Sequence, residues 1–397
     1  MLLTAASVLV ATALAGFSAR RAILIAAAVA PRRRAARAPG EPRPVTLVVP
    51  ARNEEARIDG LLEALDRLDY PSGSLSVVLV NDGSEDRTGE RLVRWAADRP
   101  RAHVLELPEP AGKAAALNAG LAAAPVAELV AVCDADLRPR PDWLRRLAPA
   151  LADESVAAAA AFLAPCNADA SAVARYAAVE TWTHQLVTSA GKDRLRLNPP
   201  MLGASMYRRA ALGSIGGFRA GAPGEDAHAT VALTRAGWRT RFVREAVVDN
   251  AVVDDLRDYW YQHIRWARNV LSAGHGGLRV SGRAPGGRPS PLLRVEVWAA
   301  SAGYADRLAL VAAAALAAAG ALPAWLPLGY LAVAASEAVA AIAKAGAARR
   351  LPGLALAVAS LFPIDVVASA AANMAHLSRR PRTWRAHRRA RRAGVGY

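Results

Sequence analysis

The chain has 397 residues, 53% of them hydrophobic, with a mean hydropathy of +0.15 and a formal net charge of +16. That length allows one large domain or two ordinary ones. The hydropathy is high for a wholly water-soluble protein, because apolar residues gather at the two ends around a polar middle. Two cysteines, Cys133 and Cys166, lack CxxC spacing, which excludes a disulfide framework or a cysteine zinc site. Both read as small buried hydrophobes.

Leu2 to Ala19 is apolar and just long enough to cross a bilayer; Arg20-Arg21 interrupts, and Ala22 to Ala30 is apolar again. Positive charges follow the apolar run instead of preceding it. Residues 1–30 therefore read as an anchor with its C-terminal side in the cytoplasm, not as a cleaved signal peptide. A basic, proline-rich linker spans 31–44 and ends in "PGEPRP". The arginine clusters at Arg20-Arg21, in "PRRRAAR" from Pro31 and in "RRPRTWRAHRRARR" from Arg379 sit beside apolar segments. That placement favours anionic lipid over nucleic acid as the partner, and no nucleic-acid motif occurs.

From Val45 the pattern changes. "VTLVV" predicts a buried parallel strand, and Ala56 to Leu68 carries apolar residues at helical spacing. "LSVVLV" is a second strand, followed by a turn at Ser84 to Thr88 and a helix over Gly89 to Ala97. "HVLEL", the helix "GKAAALNAGLAAA" and the strand "AELVAVC" come next. Strands alternating with helices at short intervals predict a doubly wound α/β domain with a mostly parallel sheet, placed at 45–285. "LNPPMLGASMYRR" reads as an irregular loop before a helix around Arg208 to Leu212. Residues 286–378 are predicted to be interfacial and transmembrane helices, with segments near Leu308–Leu322, Leu326–Ile342 and Leu351–Ala375, the last interrupted by Pro363 and Asp365. Small residues there permit close helix packing. Three crossings would put the basic tail, 379–397, outside, against the positive-inside rule, so one segment is expected to be re-entrant or interfacial.

Ligands of such sheets bind beyond the carboxyl ends of the strands. The polar residues fall there: Asn53-Glu54, Asp82, and the pair Asp134 and Asp136 in "DAD". Alternate side chains of an extended segment share a face, so the pair suits one hard cation, Mg²⁺ or Mn²⁺, bridging to a diphosphate. A solvated acidic turn leading to a helix at Pro141 would look the same. "GEDAHA" opens a helix with Glu225-Asp226, running to about Ala236. A carboxylate there is favoured by the helix dipole, and it can also serve as a general base for an acceptor hydroxyl. "YWYQHIRWARN", Tyr259 to Asn269, reads either as an amphipathic helix on lipid or as a substrate-binding device. His184, His228, His263 and His275 read as incidental or secondary.

Taken in order, "VVPARNE", "VNDGSEDRT", "GKAAALNAG", "CDAD", "RRAALGSIGGF", "GED" and "QHIRW" resemble the inverting family 2 glycosyltransferases of GT-A fold over roughly Val45 to Asn269. Membrane-bound members include cellulose, chitin and hyaluronan synthases, poly-N-acetylglucosamine synthases and ceramide-glucosyltransferase-like enzymes. The resemblance implies that Pro50, Arg52 and Glu54 line a nucleotide pocket, that Asp82 contacts the base and that Lys113 sits near it. It implies that Asp134 faces the ribose or diphosphate, that Asp136 binds the metal and that Asp226 is the general base, with Glu225 beside the substrate. Gly224 stands where the family usually has Thr. Gln262, Arg265 and Trp266 match Q-x-x-R-W and would close over the diphosphate and offer the acceptor an aromatic platform. The implied reaction is direct, metal-assisted transfer from a nucleotide-diphosphate sugar, first of all a UDP-sugar, to a lipid or saccharide hydroxyl at the cytoplasmic membrane face. A processive polysaccharide synthase is one alternative, and an inactive nucleotide-sugar-binding membrane scaffold another.

Overall fold

The computed structural model describes residues 2–31, 42–222, 224–274, 285–287, 290–301 and 305–377. The chain opens with α1 (Leu2–Val29), then β1 (Val45–Ala51), α2 (Ile58–Asp66), β2 (Leu75–Asp82), α3 (Thr88–Ala96), β3 (Ala102–Leu107), α4 (Lys113–Ala123) and β4 (Leu129–Cys133). Next come β5 (Leu137–Pro139), α5 (Trp143–Leu147), β6 (Val156–Pro165), α6 (Ala172–Trp182) with a π-helical continuation at Thr183–Ser189, and α7 (Ala190–Arg194). The α/β domain continues with β7 (Ala204–Arg208), α8 (Arg209–Ser214), α9 (Glu225–Ala236), β8 (Arg239–Asn250) and α10 (Leu256–Gly274). Four helices follow: α11 (Pro291–Ser301), α12 (Ala305–Ala318), α13 (Trp325–Lys344) and α14 (Leu351–Leu377).

The eight strands form one sheet in the order β3-β2-β1-β4-β7-β6-β8-β5. β1–β2, β2–β3, β1–β4 and β6–β8 pair in parallel; β4–β7, β6–β7 and β5–β8 are antiparallel. The sheet is thus mixed, with its parallel half built by the alternation visible in the sequence. β1 is buried along its whole length, as its run of β-branched residues demands. One face packs on α2 and α5 through Ile58, Leu61, Trp143 and Leu147; the other packs on α4, α8 and α9 through Leu117, Leu212 and Leu233. Gly120 lets α4 lie close to the sheet, since a Cβ there would sit 2.7 Å from Val48 Cγ1 and 2.8 Å from Val80 Cγ2.

The segment expected as an irregular loop holds a central strand. β7 lies between β4 and β6, with Ala204, Ser205 and Met206 fully buried. Its five residues are too short and too weakly apolar at the start to stand out, and the preceding prolines mask it. Cys133 is buried, but Cys166 is exposed, which corrects its reading as a core residue. α14 also runs unbroken through Pro363.

Arg20 and Arg21 do not end α1; the helix continues to Val29. Their guanidiniums turn into the protein instead of toward lipid headgroups. Arg20 pairs with Glu296 at 2.6 Å, and Arg21 pairs with Glu337 and, at 2.7 Å, with Asp306. Arg307 continues the array to Asp306 at 2.7 Å and Asp365 at 2.9 Å. Charges among apolar helices persist only when paired, which explains the arrangement. The basic clusters from residue 32 and from residue 379 lie outside the described residues. Among the described residues, three helical stretches are long and apolar enough to cross a membrane: Thr4–Val29, Trp325–Lys344 and Ala348–Asn373. The 14 residues of α12 rise about 21 Å, short of a hydrocarbon core of about 30 Å, so only two of the three expected C-terminal segments have spanning length.

Gly120→Leu is expected to cost about 1–3 kcal/mol by overpacking the α4–sheet contact. A thermal unfolding scan in detergent checks this as a fall in Tm of several degrees. Gly16→Ala, which adds a methyl where nothing lies within 4 Å, is the matched control and leaves Tm unchanged.

Candidate active site

The carboxyl ends of β1, β2 and β4 open into one cavity of about 2650 Å³, walled on the far side by α9 and α10 and reaching α1, α12, α13 and α14. Every residue to which the resemblance assigned a site role lines it: Pro50, Arg52, Glu54, Asp82, Lys113, Asp134, Asp136, Glu225, Asp226, Gln262, Arg265 and Trp266. His184, His263 and Asn269 line it as well.

The first wall is a set of interlocked turns. Asn53 adopts a left-handed φ of 54°, and its Oδ1 accepts from the Glu85 amide at 2.9 Å. The Glu54 amide donates to Thr88 Oγ1 at 2.8 Å. The loops after β1 and β2 thereby fix each other. Asp82 accepts from the Ala111 and Gly112 amides at 2.7 and 2.9 Å. Its carboxylate thus shapes the entry to α4, where Gly112 needs its positive φ of 87°.

The centre is a charge cluster. Lys113 Nζ lies 2.6 Å from Asp134 Oδ1 and 2.5 Å from Glu225 Oε1. The Asp134 amide donates to the Gly203 carbonyl at 2.9 Å, and a Cβ at Gly203 would come within 2.3 Å of Asp134 Oδ2. Asp136 points to the same space, with Arg57 Nη1 at 4.0 Å. Burial pushes the Asp134 carboxyl up to about 6 despite Lys113. Burial and the neighbouring Glu225 charge push Asp226 up to about 7. Burial opposes ionisation of Glu225 too, but Lys113 outweighs it and holds that carboxyl below its usual value. Burial disfavours the Lys113 ammonium, yet Asp134, Glu225 and Asp226 hold it well above the ordinary lysine range. One lysine therefore offsets part of the charge of Asp134 and Glu225 and leaves the third carboxyl, Asp226, to titrate near neutral pH.

Asp226 opens α9, and its Oδ1 accepts from the Ala227 amide at 2.7 Å. Gly224 precedes it at φ 78°, and a Cβ there would meet Asn269 at 2.9–3.0 Å. The glycine is thus demanded by the close approach of α10, a signal that composition alone does not give. On α10, Gln262, Arg265 and Trp266 follow at i, i+3 and i+4 and share the cavity face. Arg265 faces the carboxylates of Asp136, Asp134, Glu225 and Asp226, while burial pulls its guanidinium below the usual value. Trp266 is 39% exposed, an open aromatic surface at the cavity mouth.

Two readings of this helix change. Tyr259, expected on lipid, is 1% exposed and stacks on His263 at 3.8 Å. His263, read as incidental, is buried, with Nε2 at 3.1 Å from Glu180. Glu180 lies 83 positions away on α6, so only the fold brings the two together. His275 lies outside the described residues.

Comparison with known proteins identifies a family and a shared fold. The sequence model of a family described as glycosyltransferase like family 2 matches residues 42–269. The chain is 35% identical over 248 residues to a protein of Mesorhizobium japonicum and 34% identical over 248 residues to one of Rhizobium meliloti, both named N-acetylglucosaminyltransferase. These matches cover 58% and 59% of this chain, and 57% and 58% of the relatives. The chain thus spans somewhat more than half the length of the curated relatives it matches. A mannosyltransferase from Pyrobaculum calidifontis, solved in complex with GDP-Man and Mn²⁺, superposes with a TM-score of 0.66 at 26% identity, covering 96% of this chain and 100% of that one.

Lys113→Gln removes the cation that offsets Asp134 and Glu225, so the Asp226 carboxyl is expected to titrate higher still. An NMR titration of the Asp226 carboxyl in detergent checks this: its midpoint moves toward higher pH by about one unit.

Proposed function

The chain belongs to glycosyltransferase family 2, and we propose that it transfers a sugar from a nucleoside-diphosphate sugar to a hydroxyl of a membrane-associated acceptor, with inversion and with Asp226 as general base. The observation that carries this reading is the single cavity, in which a carboxyl poised near neutrality at the start of α9 faces the strand-end carboxylates and Arg265.

Asp82 holds the 110–112 loop that would floor the nucleotide base. Lys113 and Arg265 bring positive charge to the space where a diphosphate would lie. The donor set suits a hard divalent cation, because Asp134 and Asp136 flank one residue and present oxygens to the same cavity. Those two residues would hold Mg²⁺ or Mn²⁺, which supplies electrostatic stabilisation of the leaving diphosphate when bound. Asp226 takes the acceptor's proton as the acceptor oxygen bonds to the anomeric carbon. The bond from that carbon to the diphosphate oxygen breaks, and its electron pair leaves with the diphosphate. Attack from the opposite face converts an α-linked donor into a β-linked product. No covalent enzyme intermediate is required. Trp266 offers a sugar ring an aromatic face.

The relatives' name makes an N-acetylglucosaminyl donor the first to test, and GDP-mannose the second, from the structural neighbour. The reach of the cavity to α1, α12, α13 and α14 supports an acceptor that approaches from the membrane. The same reach leaves room for a longer saccharide, so a processive synthase is the second reading. Membranes incubated with a panel of labelled nucleotide sugars separate the two: label extracted into organic solvent means a glycolipid, and label in a non-extractable product means a polymer.

Asp226→Asn and Asp136→Ala are each expected to abolish transfer in protein that still folds and stays in the membrane; normal turnover in either overturns the mechanism. The Asp226 shift also sets a pH sign. The ionised base is present above about pH 7, so kcat/KM of the free enzyme climbs through that range. Keeping that carboxylate charged costs folded-state stability above its raised pKa, and the cost disappears below the ordinary carboxylate range. Asp226→Asn is therefore expected to raise Tm at about pH 8 and to leave it unchanged at about pH 4, read by thermal scans at both.

A further inference from the structure

We infer that His263 and Glu180 retain one proton between them, and that this proton-bridged clamp positions the helix carrying Gln262, Arg265 and Trp266 against α6 and α14. The inference goes beyond the proposed transfer reaction but rests on Arg265 and Trp266 serving it.

His263 is 3% exposed. Its Nδ1 lies 2.9 Å from the Tyr259 carbonyl oxygen, and its Nε2 lies 3.1 and 3.3 Å from the two oxygens of Glu180. A carbonyl cannot donate, so Nδ1 carries a hydrogen. Nε2 then meets a carboxylate, and without a proton on one of them two lone pairs would face each other in a buried space. The ring stacks on Tyr259 and tilts toward Trp266 at 5.3 Å, while Tyr259 meets Tyr176 of α6 edge-on at 5.6 Å. Asp365 of α14 approaches the same point, its carboxylate within 4.8 Å of the His263 and Glu180 atoms. Arg307 of α12 bonds Asp365 at 2.9 Å.

A metal ion held by Glu180, His263 and Asp365 would compete with Arg307 for Asp365, whereas a proton between Nε2 and Glu180 leaves that ion pair intact. Burial opposes a charge on His263, but Glu180 and Asp365 hold the ring above the ordinary imidazole value. Burial also raises the Glu180 carboxyl. Both shifts act to keep the proton in place.

The clamp is intact while the proton is bound and is lost as pH rises through the raised value. The test is the pH profile of kcat for the full chain in lipid nanodiscs. The wild-type enzyme is expected to lose rate on the alkaline side, above the ordinary imidazole range. Glu180→Gln provides an amide that donates to neutral Nε2, so its alkaline limb is expected to vanish. Glu180→Ala removes the partner and is expected to lower kcat at least tenfold at every pH. An unchanged limb in Glu180→Gln overturns the clamp, and so does wild-type kcat in Glu180→Ala. Mn²⁺ stoichiometry by elemental analysis closes the remaining route: a second equivalent held by the wild type and lost in Glu180→Ala makes the cluster a metal site and overturns the proton. If Glu180→Ala does not fold, the Glu180→Gln profile still decides. Turnover by Asp226→Asn would sink the base assignment without touching the limb comparison, so the two failures are distinguishable.

Discussion

The site depends on one ammonium group. Lys113 stands between Asp134, at the end of a central strand, and Glu225, at the start of α9. Without it, the sheet edge and the helix would face each other with like charges in a largely buried space. With it, the two are drawn together and Asp226 is left as the carboxyl that no short ion pair neutralises. Placing the lysine is the task of Asp82, whose carboxylate ties down the two amides just before it. A residue expected to touch the nucleotide base is thus already employed in the fold, and the same loop can serve both purposes.

A second charge array lies among the apolar helices, and it obeys a different economy. At the strand ends, the carboxylates of Asp134, Asp136, Glu225 and Asp226 are only partly offset by Lys113 and Arg265. Between α1, α12, α13 and α14 each charge meets an opposite one, Arg21 reaching both Asp306 and Glu337 and Arg307 both Asp306 and Asp365. The matching fixes how these helices sit on the α/β domain. Arg20 and Lys192 share Glu296, so α1 and α7 are fastened to α11 by one carboxylate.

Legibility followed the range of the interaction. The parallel half of the sheet was readable because each strand and its helix are adjacent in sequence and differ in hydrophobic period. The strand-end carboxylates were readable because a strand end is a local event. β7 was not, since it enters the sheet from a proline-rich stretch and owes its strand character to the neighbours it inserts between. Arg20-Arg21 were read as the end of an apolar run because their partners, Glu296, Asp306 and Glu337, lie hundreds of residues away. The glycine before Glu225 looked like a missing hydroxyl; the structure gives it a reason, the left-handed turn that Asn269 presses against. His263 sat inside a recognised motif and was still missed, because its meaning lies in Glu180 and Asp365.

The link between the two arrays runs through α6 and its π-helical continuation. Widening a helix to i→i+5 bonding displaces the residues that follow around the axis, and such segments recur at functional sites. Here Gln185 secures the widened turn by accepting from the Leu163 amide at 2.8 Å and donating to the Leu163 carbonyl at 3.2 Å, which fastens it to the edge of β6. Glu180, before the turn, faces His263 of α10; Thr188, within it, donates to Glu337 of α13 at 3.1 Å. A regular helix would place positions eight apart about 80° from each other around the axis. One continuous helical segment thus meets the helix of Gln262, Arg265 and Trp266 through Glu180 and α13 through Thr188, while Gln185 between them holds it to β6.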